Sequence, residues 1–339
     1  MISVRFLPAQ PHCLSFGGFE IQMIQTLQAV KAYGIDAKPL NPWSKSKNFD
    51  IAHIWGFDIS QFRNIFFLKK AKKGVVVTAL LDYSWSLKKK LKFLISSYMS
   101  ITRYYLRMAK LIDAFVVLND IQRDIAIHYY KIEADKVFVI PNIVHRNFYL
   151  SAIQDNEIIY TNNYVITVGN ICPRKNQLNL ARACIKAGVN LIIIGNVLDG
   201  EEEYGRKLSE VVRNNSSVKW FKALPPASTE LIEYIKKASV FALPTLNETQ
   251  PISALEAAVL RKPLLLSDLP FAKQKFFKNA CLVDPYNVDN IARAVVKIIS
   301  NPKLYIPDYS VLQECTESSV GKAYAKVYEI MYEKIISRG

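Results

Sequence analysis

The sequence predicts an α/β protein built from two doubly wound domains, each a parallel sheet with helices on both faces. Two observations support this prediction. Short, continuously apolar runs alternate with longer helical patterns along the 339 residues, which is typical of parallel strands covered by helices. The alternation also occurs as two series, separated by a polar stretch at about residues 145–163. Half of the residues are hydrophobic, so the chain can bury a sizeable core and is unlike a disordered protein.

The first series contains six predicted strands and a well-marked first helix. In the segment "FEIQMIQTLQAVKAYG", Ile21, Ile24, Leu27 and Val30 repeat at helical spacing, and Gly34 fits a C-terminal stop. The strands are predicted at Ile2–Leu7, Asp36–Leu40, Asp50–Trp55, Val75–Leu81, Ala114–Leu118 and Val137–Pro141.

The second series contains six further predicted strands and leads into a last helix, Ser318–Ile336, with Val320, Tyr324, Val327 and Met331 on one face. We therefore predict domains at residues 1–155 and 156–317, with residues 318–339 packing back toward the first. The two sheets are expected to face each other across a cleft, with ligands beyond the carboxyl ends of the strands. The strands are predicted at Tyr164–Gly169, Leu191–Gly195, Val218–Phe221, Val240–Pro244, Pro263–Ser267 and Cys281–Pro285.

The net charge is +15 and the pI about 9.4. Such a balance favours an anionic partner, whether nucleic acid, a nucleotide or phosphorylated substrate, or an anionic membrane, although a well-solvated surface also accounts for it. The five cysteines are odd in number and form no CxxC pair, which indicates free thiols in a reducing compartment. The four histidines lie far from any cysteine pair or HExxH pattern, so no metal site is expected.

The start of the chain, "ISVRFL", contains an arginine and is too short for the apolar core of a signal peptide. No apolar run approaches the 18 residues of a membrane span. We therefore expect a cytoplasmic protein, soluble or peripheral to a membrane.

Two loops that follow the first strand of each series could hold an anion. Gly17 and Gly18, in "FGGFE", would let the backbone approach a ligand closely at a helix N-terminus. Arg174 and Lys175, in "GNICPRKNQ", precede the next helix and suit a phosphate or diphosphate. An ordinary glycine turn and a solvated basic turn explain the same residues.

The stretch "NETQPISALEAA" follows the strand "VFALP" and holds two carboxylates, Glu248 and Glu256. Pro251 suits the first helical turn, which makes Thr249 or Gln250 the cap and leaves Glu248 in the loop. Ile252 then begins a buried stripe, and Glu256 projects from the early turns. Free backbone N–H groups between two carboxylates suit a ligand with hydroxyl groups on both sides of a phosphate, such as a nucleotide sugar. A loop acid and an unrelated surface acid remain the alternative.

A basic, amphipathic stretch runs from Leu87 to Lys110, and from Arg63 to Lys110 nearly every charged residue is positive, Asp82 being the exception. This region 63–110 could rest on an anionic membrane or meet a lipid-linked phosphate acceptor. It could equally be a sheet-covering helix with a solvated basic face.

The sequence resembles the GT-B glycosyltransferases, family 4 in particular. The segments that carry the resemblance are "VGNICPRKNQLNLARAC", "LIIIG", "ASVFALPTLNETQPISALEAAVLRKPLLLSD" and "CLVDP", with "DAFVVLNDIQRD", "DKVFVIPN" and "FGGFE" in the first half. They cover most of the chain in the family's order, and the E-x7-E motif is specific in this context.

The resemblance implies a GT-B fold and a retaining transferase that uses a nucleotide-activated sugar without a metal or other cofactor. It implies that Lys175 contacts the donor diphosphate and that Glu248 lies by the donor sugar, which makes these two the catalytic residues. It also implies that Glu256 binds the ribose hydroxyls and that Gly17 and Gly18 approach the donor phosphate. We add Arg174, Thr249, Gln250, Pro251 and Ile252 to the predicted donor-binding residues.

Three departures from the family pattern concern the acceptor side and the rate more than the fold. Asn170 stands where the family has an arginine, for which Arg174 could substitute. Leu81 and Asp82 stand where the family often has His-Asp, so a catalytic histidine is absent there. Thr249, Gln250 and Pro251 replace glycines that often follow the first glutamate.

The predicted function is therefore sugar transfer from a nucleotide sugar to a glycan or lipid-linked acceptor, in cell-surface polysaccharide synthesis. A sugar-nucleotide epimerase on a similar scaffold is a second hypothesis, which products formed without an acceptor would reveal. A non-catalytic basic protein that binds nucleotides or nucleic acid is a third. No nucleic-acid-binding motif is present, so no nucleic-acid partner is expected.

Overall fold

The computed structural model of the chain describes residues 1–14, 17–81, 100–154 and 162–337. It divides into two compact units, Met1–Ile143 with Glu314–Gly339, and Val144–Gln313. All twelve predicted strands are present, most of them with ends shifted by one to three residues. Each unit holds one six-stranded sheet in which every pairing is parallel.

The sheet of the first unit has the strand order β2-β1-β3-β4-β5-β6. Its strands are β1 (Ser3–Leu7), β2 (Asp36–Pro39), β3 (Ile51–Trp55), β4 (Gly74–Thr78), β5 (Ala114–Val117) and β6 (Val137–Val139). Its helices within the described residues are α1 (Gly18–Ala29), α2 (Phe62–Lys70), α3 (Ser100–Leu111), α4 (Asp120–His128) and, from the C-terminus, the last helix, Glu317–Ile336.

Helix α1 buries part of the apolar set that repeats at helical spacing: Leu27 and Val30 are buried and Ile21 is half-buried. Ile24 is 40% exposed, whereas Met23 and Leu27 are buried together with Thr26. The apolar periodicity therefore predicts the helix and part of its buried face but not Thr26, because a buried threonine carries no hydrophobic signal. The helix continues as a 3₁₀ turn and ends at Gly34, whose φ of +74° is the left-handed conformation of a helix stop.

The last helix belongs to the first unit because it packs on α1 and on the sheet. The predicted face is confirmed, since Val320, Tyr324, Val327 and Met331 are all buried. Two of its tyrosines also enter a buried polar cluster: the Tyr328 hydroxyl lies 2.7 Å from His53 Nδ1, and the Tyr324 hydroxyl lies 3.1 Å from Thr78 Oγ1. Burial lowers the pKa of His53 to about 3, so the ring is neutral and pairs with hydroxyl groups.

Gly321 lets the last helix approach α1 closely, and this contact yields a stability prediction. Alanine is the better helix former by about 1 kcal/mol, yet a Cβ at position 321 would lie 2.8 Å from the Ala29 carbonyl oxygen. We expect Gly321→Ala to lower the free energy of unfolding by about 1–3 kcal/mol, because overpacking outweighs propensity. Urea unfolding measures this. Lys322→Ala, at the exposed neighbouring position, is the matched control, and equal effects of the two changes would contradict the packing argument.

The sheet of the second unit has the strand order β12-β11-β10-β7-β8-β9. The order reverses between β7 and β10, and such a switch point is where open α/β sheets bind ligands. The strands are β7 (Asn162–Val168), β8 (Asn190–Ile194), β9 (Val218–Phe221), β10 (Ala238–Leu243), β11 (Leu264–Ser267) and β12 (Cys281–Val283). The helices are α5 (Arg146–Gln154), α6 (Gln177–Ala187), α7 (Glu202–Arg213), α8 (Thr229–Lys237), α9 (Ile252–Val259) and α10 (Val288–Ser300); the last helix of the chain, Glu317–Ile336, is α11.

The unit boundaries differ from the predicted 155/156 and 317/318. The sequence predicts a boundary within the polar stretch at about residues 145–163, but this stretch contains helix α5, which packs on α8 and α9 in the second unit. Asn147 donates to the Ala227 carbonyl at 3.1 Å, and Tyr149 donates to the Leu312 carbonyl at 2.5 Å. These contacts assign residues from Val144 onward to the second unit.

The basic region 63–110 is described only in part. Residues 82–99, which include Asp82 and the first half of the predicted amphipathic helix, lie outside the described residues. In α3, Met108 is buried in the core against the sheet, while Arg103 and Arg107 are exposed. Leu81 lies beyond the end of β4 in the same apolar core, and its carbonyl accepts from Gln122 at 3.0 Å.

No helix within the described parts of the chain is long and apolar enough to cross a membrane.

Candidate functional site

Two loops meet at the switch point of the second sheet. Residues 169–176 follow β7 and residues 244–251 follow β10. Gly169 has a φ of +146°, which L side chains rarely adopt. A Cβ at Gly195, directly after β8, would overlap the carbonyl oxygen of Gly169. Only glycine at both positions lets these strand ends and the loop approach so closely.

Hydrogen bonds hold the two loops together. The backbone N–H of Leu246 donates to the Arg174 carbonyl at 2.8 Å, and the Thr245 hydroxyl donates to the same oxygen at 2.7 Å. Asn176, at a left-handed φ of 60°, donates its amide to the Pro244 carbonyl at 2.8 Å and to the Pro285 carbonyl at 2.7 Å. Asparagine tolerates this conformation better than most residues. The polar loop residues are therefore fixed in place rather than loosely exposed.

The predicted pair Arg174 and Lys175 shares one carboxylate oxygen of Glu248. Arg174 Nη1 and Lys175 Nζ each lie 2.5 Å from Glu248 Oε1. The Glu248 side chain is 9% exposed and that of Lys175 12%, whereas that of Arg174 is 49% exposed. Burial alone would raise the pKa of Glu248, but the charges and hydrogen bonds of Lys175 and Arg174 outweigh it and hold the pKa below its usual value. Glu248 is therefore ionised between two cations.

Helix α9 starts one residue later than predicted. Pro251 is its N-cap, with ψ at 121°, and Ile252 is the first helical residue. The expectation that Thr249 or Gln250 caps the helix is thus wrong. Proline presets φ in either position, but here it precedes the first helical turn. The Pro251 side chain makes no capping hydrogen bond, and no backbone bond of the described residues uses the N–H of Ile252 or Ser253. These N–H groups are available to an anion.

The remaining predicted residues of this loop point in different directions. Gln250 is 3% exposed, and its amide donates to Gln274 Oε1 at 2.7 Å. The Thr249 carbonyl accepts from Gln274 Nε2 at 2.7 Å. Thr249 and Ile252 are half-buried. The Gln250 side chain therefore faces the protein and is held by Gln274.

Glu256 lies on the second turn of α9, away from the ion cluster. It is half-buried, and none of the hydrogen bonds or ion pairs of the described residues involves its carboxyl group. Burial without a compensating partner raises its pKa to about 7. An uncompensated acid of this kind is costly in a free protein and would gain from a ligand that donates hydroxyl groups.

The raised pKa predicts a pH-dependent stability effect of Glu256. The folded state holds the Glu256 proton more tightly than the unfolded state, whose value is 4.5, so this residue reduces stability progressively as pH rises from about 4.5 to about 7. We expect Glu256→Gln to stabilise the free protein by roughly 1–3 kcal/mol at pH 8 and hardly at pH 4.5.

Thermal unfolding at the two pH values measures the Glu256 effect. Glu233→Gln is the control, because ion pairs with Lys236 and Lys237 lower the pKa of that acid and its loss should not stabilise. A Glu256→Gln protein no more stable than the parent at pH 8 would contradict a buried, uncompensated carboxylate.

The predicted glycine loop belongs to the first unit. Gly17 is the N-cap and Gly18 the first residue of α1, after β1 at the point where that sheet reverses its strand order. The Gly17 N–H donates to Glu20 Oε2 at 2.9 Å in a capping box. Neither glycine has a positive φ among the described values, so neither is required for an unusual backbone turn.

Groups of His, Cys, Asp and Glu that could hold a metal ion do not occur in the residues that the structure describes.

Sequence reasoning missed several residues that build this site. Gly195, Thr245, Asn176, Ser267 and Gln274 all hold the two loops in place. Gly195 could have been suspected, because it ends an apolar strand in the same way as Gly169. The others carry no local signal, since their partners are distant in sequence.

Residues 151–306 match the model of the family "Glycosyl transferases group 1". A search of curated proteins finds the Escherichia coli UDP-Gal:alpha-D-GlcNAc-diphosphoundecaprenol alpha-1,3-galactosyltransferase, 22% identical over 244 residues. The match covers 68% of this chain and 62% of the relative, so the chain aligns with less than two thirds of that protein.

Solved structures match over the whole chain. Anabaena Alr3699/HepE in complex with UDP has a TM-score of 0.66 at 15% identity, covering 100% of this chain and 99% of that one. Sucrose-phosphate synthase from Thermosynechococcus elongatus has a TM-score of 0.65 at 14% identity, covering 100% and 97%. At these identities the likeness shows the fold. The predicted α/β fold class and the resemblance to GT-B glycosyltransferases are confirmed, and the family model matches within the second unit.

Proposed function

We propose that this protein is a retaining glycosyltransferase that transfers a sugar from a nucleotide-sugar donor to a glycan or lipid-linked acceptor. The observation that carries this proposal is the cluster of Arg174, Lys175 and Glu248 at the switch point of the second sheet. Two cations beside free N–H groups at the start of α9 suit a diphosphate. A buried carboxylate beside them suits sugar hydroxyls.

In this mechanism the donor diphosphate replaces Glu248 as the ion-pair partner of Arg174 and Lys175. Arg174, Lys175 and the N–H groups of Ile252 and Ser253 stabilise the negative charge that develops on the leaving phosphate. Glu248, released from part of its ion pairing, orients the donor sugar. Glu256 accepts hydrogen bonds from the ribose hydroxyls. Arg174 thus takes the role of the family's arginine, because this chain has Asn170 at that position.

Leu81 stands at the position where a side-chain base could accept the proton of the acceptor hydroxyl. It is buried in an apolar core, so no side-chain base is available at that position. We propose that the leaving phosphate itself takes the acceptor proton on the same face of the sugar, which retains the configuration. No metal ion takes part in the proposed mechanism.

The relatives support the choice of substrates. The name of the E. coli relative combines UDP-Gal with a diphosphoundecaprenol acceptor and an alpha-1,3 linkage. Alr3699/HepE has been solved with UDP-glucose. We therefore propose a UDP-sugar donor, a lipid-linked acceptor and a role in cell-surface polysaccharide synthesis.

A panel of UDP-, GDP- and ADP-sugars, scored by thermal stabilisation of the protein, tests the donor class. We expect a UDP-sugar to raise the melting temperature, and Lys175→Ala to abolish the rise. Stabilisation by none of the sugar nucleotides would refute the proposal.

We also propose a peripheral position at the inner face of the membrane, and the surface that α2 and α3 form supports it. Phe66, Phe67 and Tyr104 are 38%, 56% and 40% exposed. The Phe62 ring links them, with its centroid 5.2 Å from Tyr104 and 6.4 Å from Phe66. Every charged residue of α2 and α3 is basic. Exposed aromatics amid cations suit the interface of an anionic bilayer.

Co-sedimentation with phosphatidylcholine vesicles, with and without phosphatidylglycerol, tests this surface. Binding should require the anionic lipid and should fall in a Phe66→Ser, Phe67→Ser double variant. The control is Tyr286→Ser, which removes a 73% exposed ring from the second unit. Equal binding of all three proteins would exclude the surface.

A further inference from the structure

Gln274 occupies an unusual position for a glutamine. It lies between two 3₁₀ turns, Pro270–Lys273 and Lys275–Phe277, that follow β11, and it is 8% exposed. Its amide nitrogen donates to the Thr249 carbonyl at 2.7 Å and to the Phe271 carbonyl at 2.9 Å. Its amide oxygen accepts from Gln250 at 2.7 Å. Both N–H groups and the carbonyl are thus used.

Two of the three partners of Gln274, Thr249 and Gln250, directly follow Glu248. On the other side of Glu248, the loop is held through Thr245, whose hydroxyl donates to the Arg174 carbonyl and whose own carbonyl accepts from Ser267 at 2.5 Å. The five-residue span from Thr245 to Thr249 is therefore anchored at both ends. At one end, Thr245 is hydrogen-bonded to the loop that carries Arg174 and Lys175. At the other end, Thr249 is hydrogen-bonded to Gln274.

We propose that Gln274 is a positioning residue that sets the orientation of the Glu248 carboxylate toward the donor sugar. The proposal rests on the proposed function of this site. None of the hydrogen bonds of the described residues joins Gln274 to Glu248, Lys175 or Arg174, so it acts through the backbone of Thr249 and the side chain of Gln250. It determines how well the site distinguishes a nucleotide sugar from the bare nucleotide.

This role separates two parts of donor binding. The diphosphate is held by Lys175, Arg174 and the start of α9, none of which bonds to Gln274. The sugar is held by Glu248, whose loop Gln274 anchors. A loss of Gln274 should therefore weaken the sugar contact while leaving most of the diphosphate contact. A glutamine that served stability alone would affect both ligands in the same proportion.

The experiment measures the affinities of UDP and UDP-glucose for the full chain by calorimetry. In Gln274→Met, which keeps the length but removes all three hydrogen bonds, we expect UDP-glucose affinity relative to UDP to fall about tenfold. UDP affinity itself should change by less than about threefold. Gln250→Met removes the other amide of the pair and should shift the ratio in the same direction, which keeps the test valid if the first variant does not fold.

Gln274→Glu gives a pH readout. An ionised carboxylate still accepts from Gln250 but cannot donate to the Thr249 carbonyl, whereas the protonated acid can donate one hydrogen bond. We compare the affinity for UDP-glucose relative to UDP in each variant with that of the parent protein at the same pH. In Gln274→Glu this ratio should lie closer to the parent value at pH 5 than at pH 8. In Gln274→Met it should not change with pH.

An unchanged ratio in both methionine variants, or a proportional loss for UDP and UDP-glucose that follows the melting temperature, would overturn the positioning role alone. Failure of the parent protein to bind either probe would overturn the proposed function and this proposal with it.

Discussion

Replacing Lys175 with alanine is expected to lower the rate of sugar transfer by about 10²–10³-fold, the cost of removing one charge-stabilising group from a transition state. Lys175 is the less exposed of the two cations and lies 2.5 Å from the buried Glu248 carboxylate. Its loss removes the less solvent-screened of the two positive charges that would stabilise the leaving diphosphate. Arg174 is half exposed and more strongly screened, so Arg174→Ala should cost less.

Transfer of radiolabelled sugar from the donor to a lipid extract measures the effect of Lys175→Ala. Lys186→Ala is the matched control, because Lys186 lies in the last turn of the adjoining helix α6 and pairs with exposed Asp289. The control should retain parental activity. A transfer rate of Lys175→Ala within about threefold of the parent rate would show that Lys175 does not stabilise the leaving diphosphate.

Glu248→Gln is expected to lower transfer by about 10–10²-fold, in keeping with the loss of hydrogen bonds to a charged group. Its effect on UDP binding should be opposite to that of Lys175→Ala. The Glu248 carboxylate competes with the diphosphate for both cations, so a neutral amide should leave UDP affinity unchanged or raise it. The two variants thus separate a residue that binds the diphosphate from one that binds the sugar.

Calorimetry with UDP and UDP-glucose, alongside the transfer assay, distinguishes these effects. Glu233→Gln, which removes an acid from an ion pair on helix α8, serves as the control and should change neither quantity. Weaker UDP binding in Glu248→Gln, by as much as in Lys175→Ala, would show that Glu248 supports the cations instead of competing with the donor.

The strands were predictable because each is a short apolar run between breakers, and burial on both faces leaves a strong local signal. The errors arose where tertiary contacts decide the outcome. Helix α1 buries Thr26 and exposes Ile24, and the polar stretch that precedes β7 contains helix α5 because Asn147 and Tyr149 bond to the second unit. Periodicity contains no information about such distant partners.

In the candidate site too, residues with a local sequence signal were predictable, whereas contacts between residues distant in sequence were not. Arg174, Lys175 and Glu248 were predicted from loops that follow strands, and the structure brings their charged atoms together. The ionic sharing of one carboxylate oxygen was not predictable, since the residues are more than seventy positions apart in the chain. Gln274 was missed for the same reason. Pro251 was placed one position too far into the helix, because proline fits both the cap and the first turn.

Calorimetric titration of UDP and uridine into the parent protein and Lys175→Ala tests most directly whether this cluster binds a nucleoside diphosphate. We predict that the parent binds UDP more tightly than uridine. Lys175→Ala should weaken UDP binding at least about tenfold while leaving uridine binding nearly unchanged. Equal affinity of the parent for UDP and uridine, or an equal loss of both in the variant, would contradict a diphosphate site at Arg174, Lys175 and Glu248.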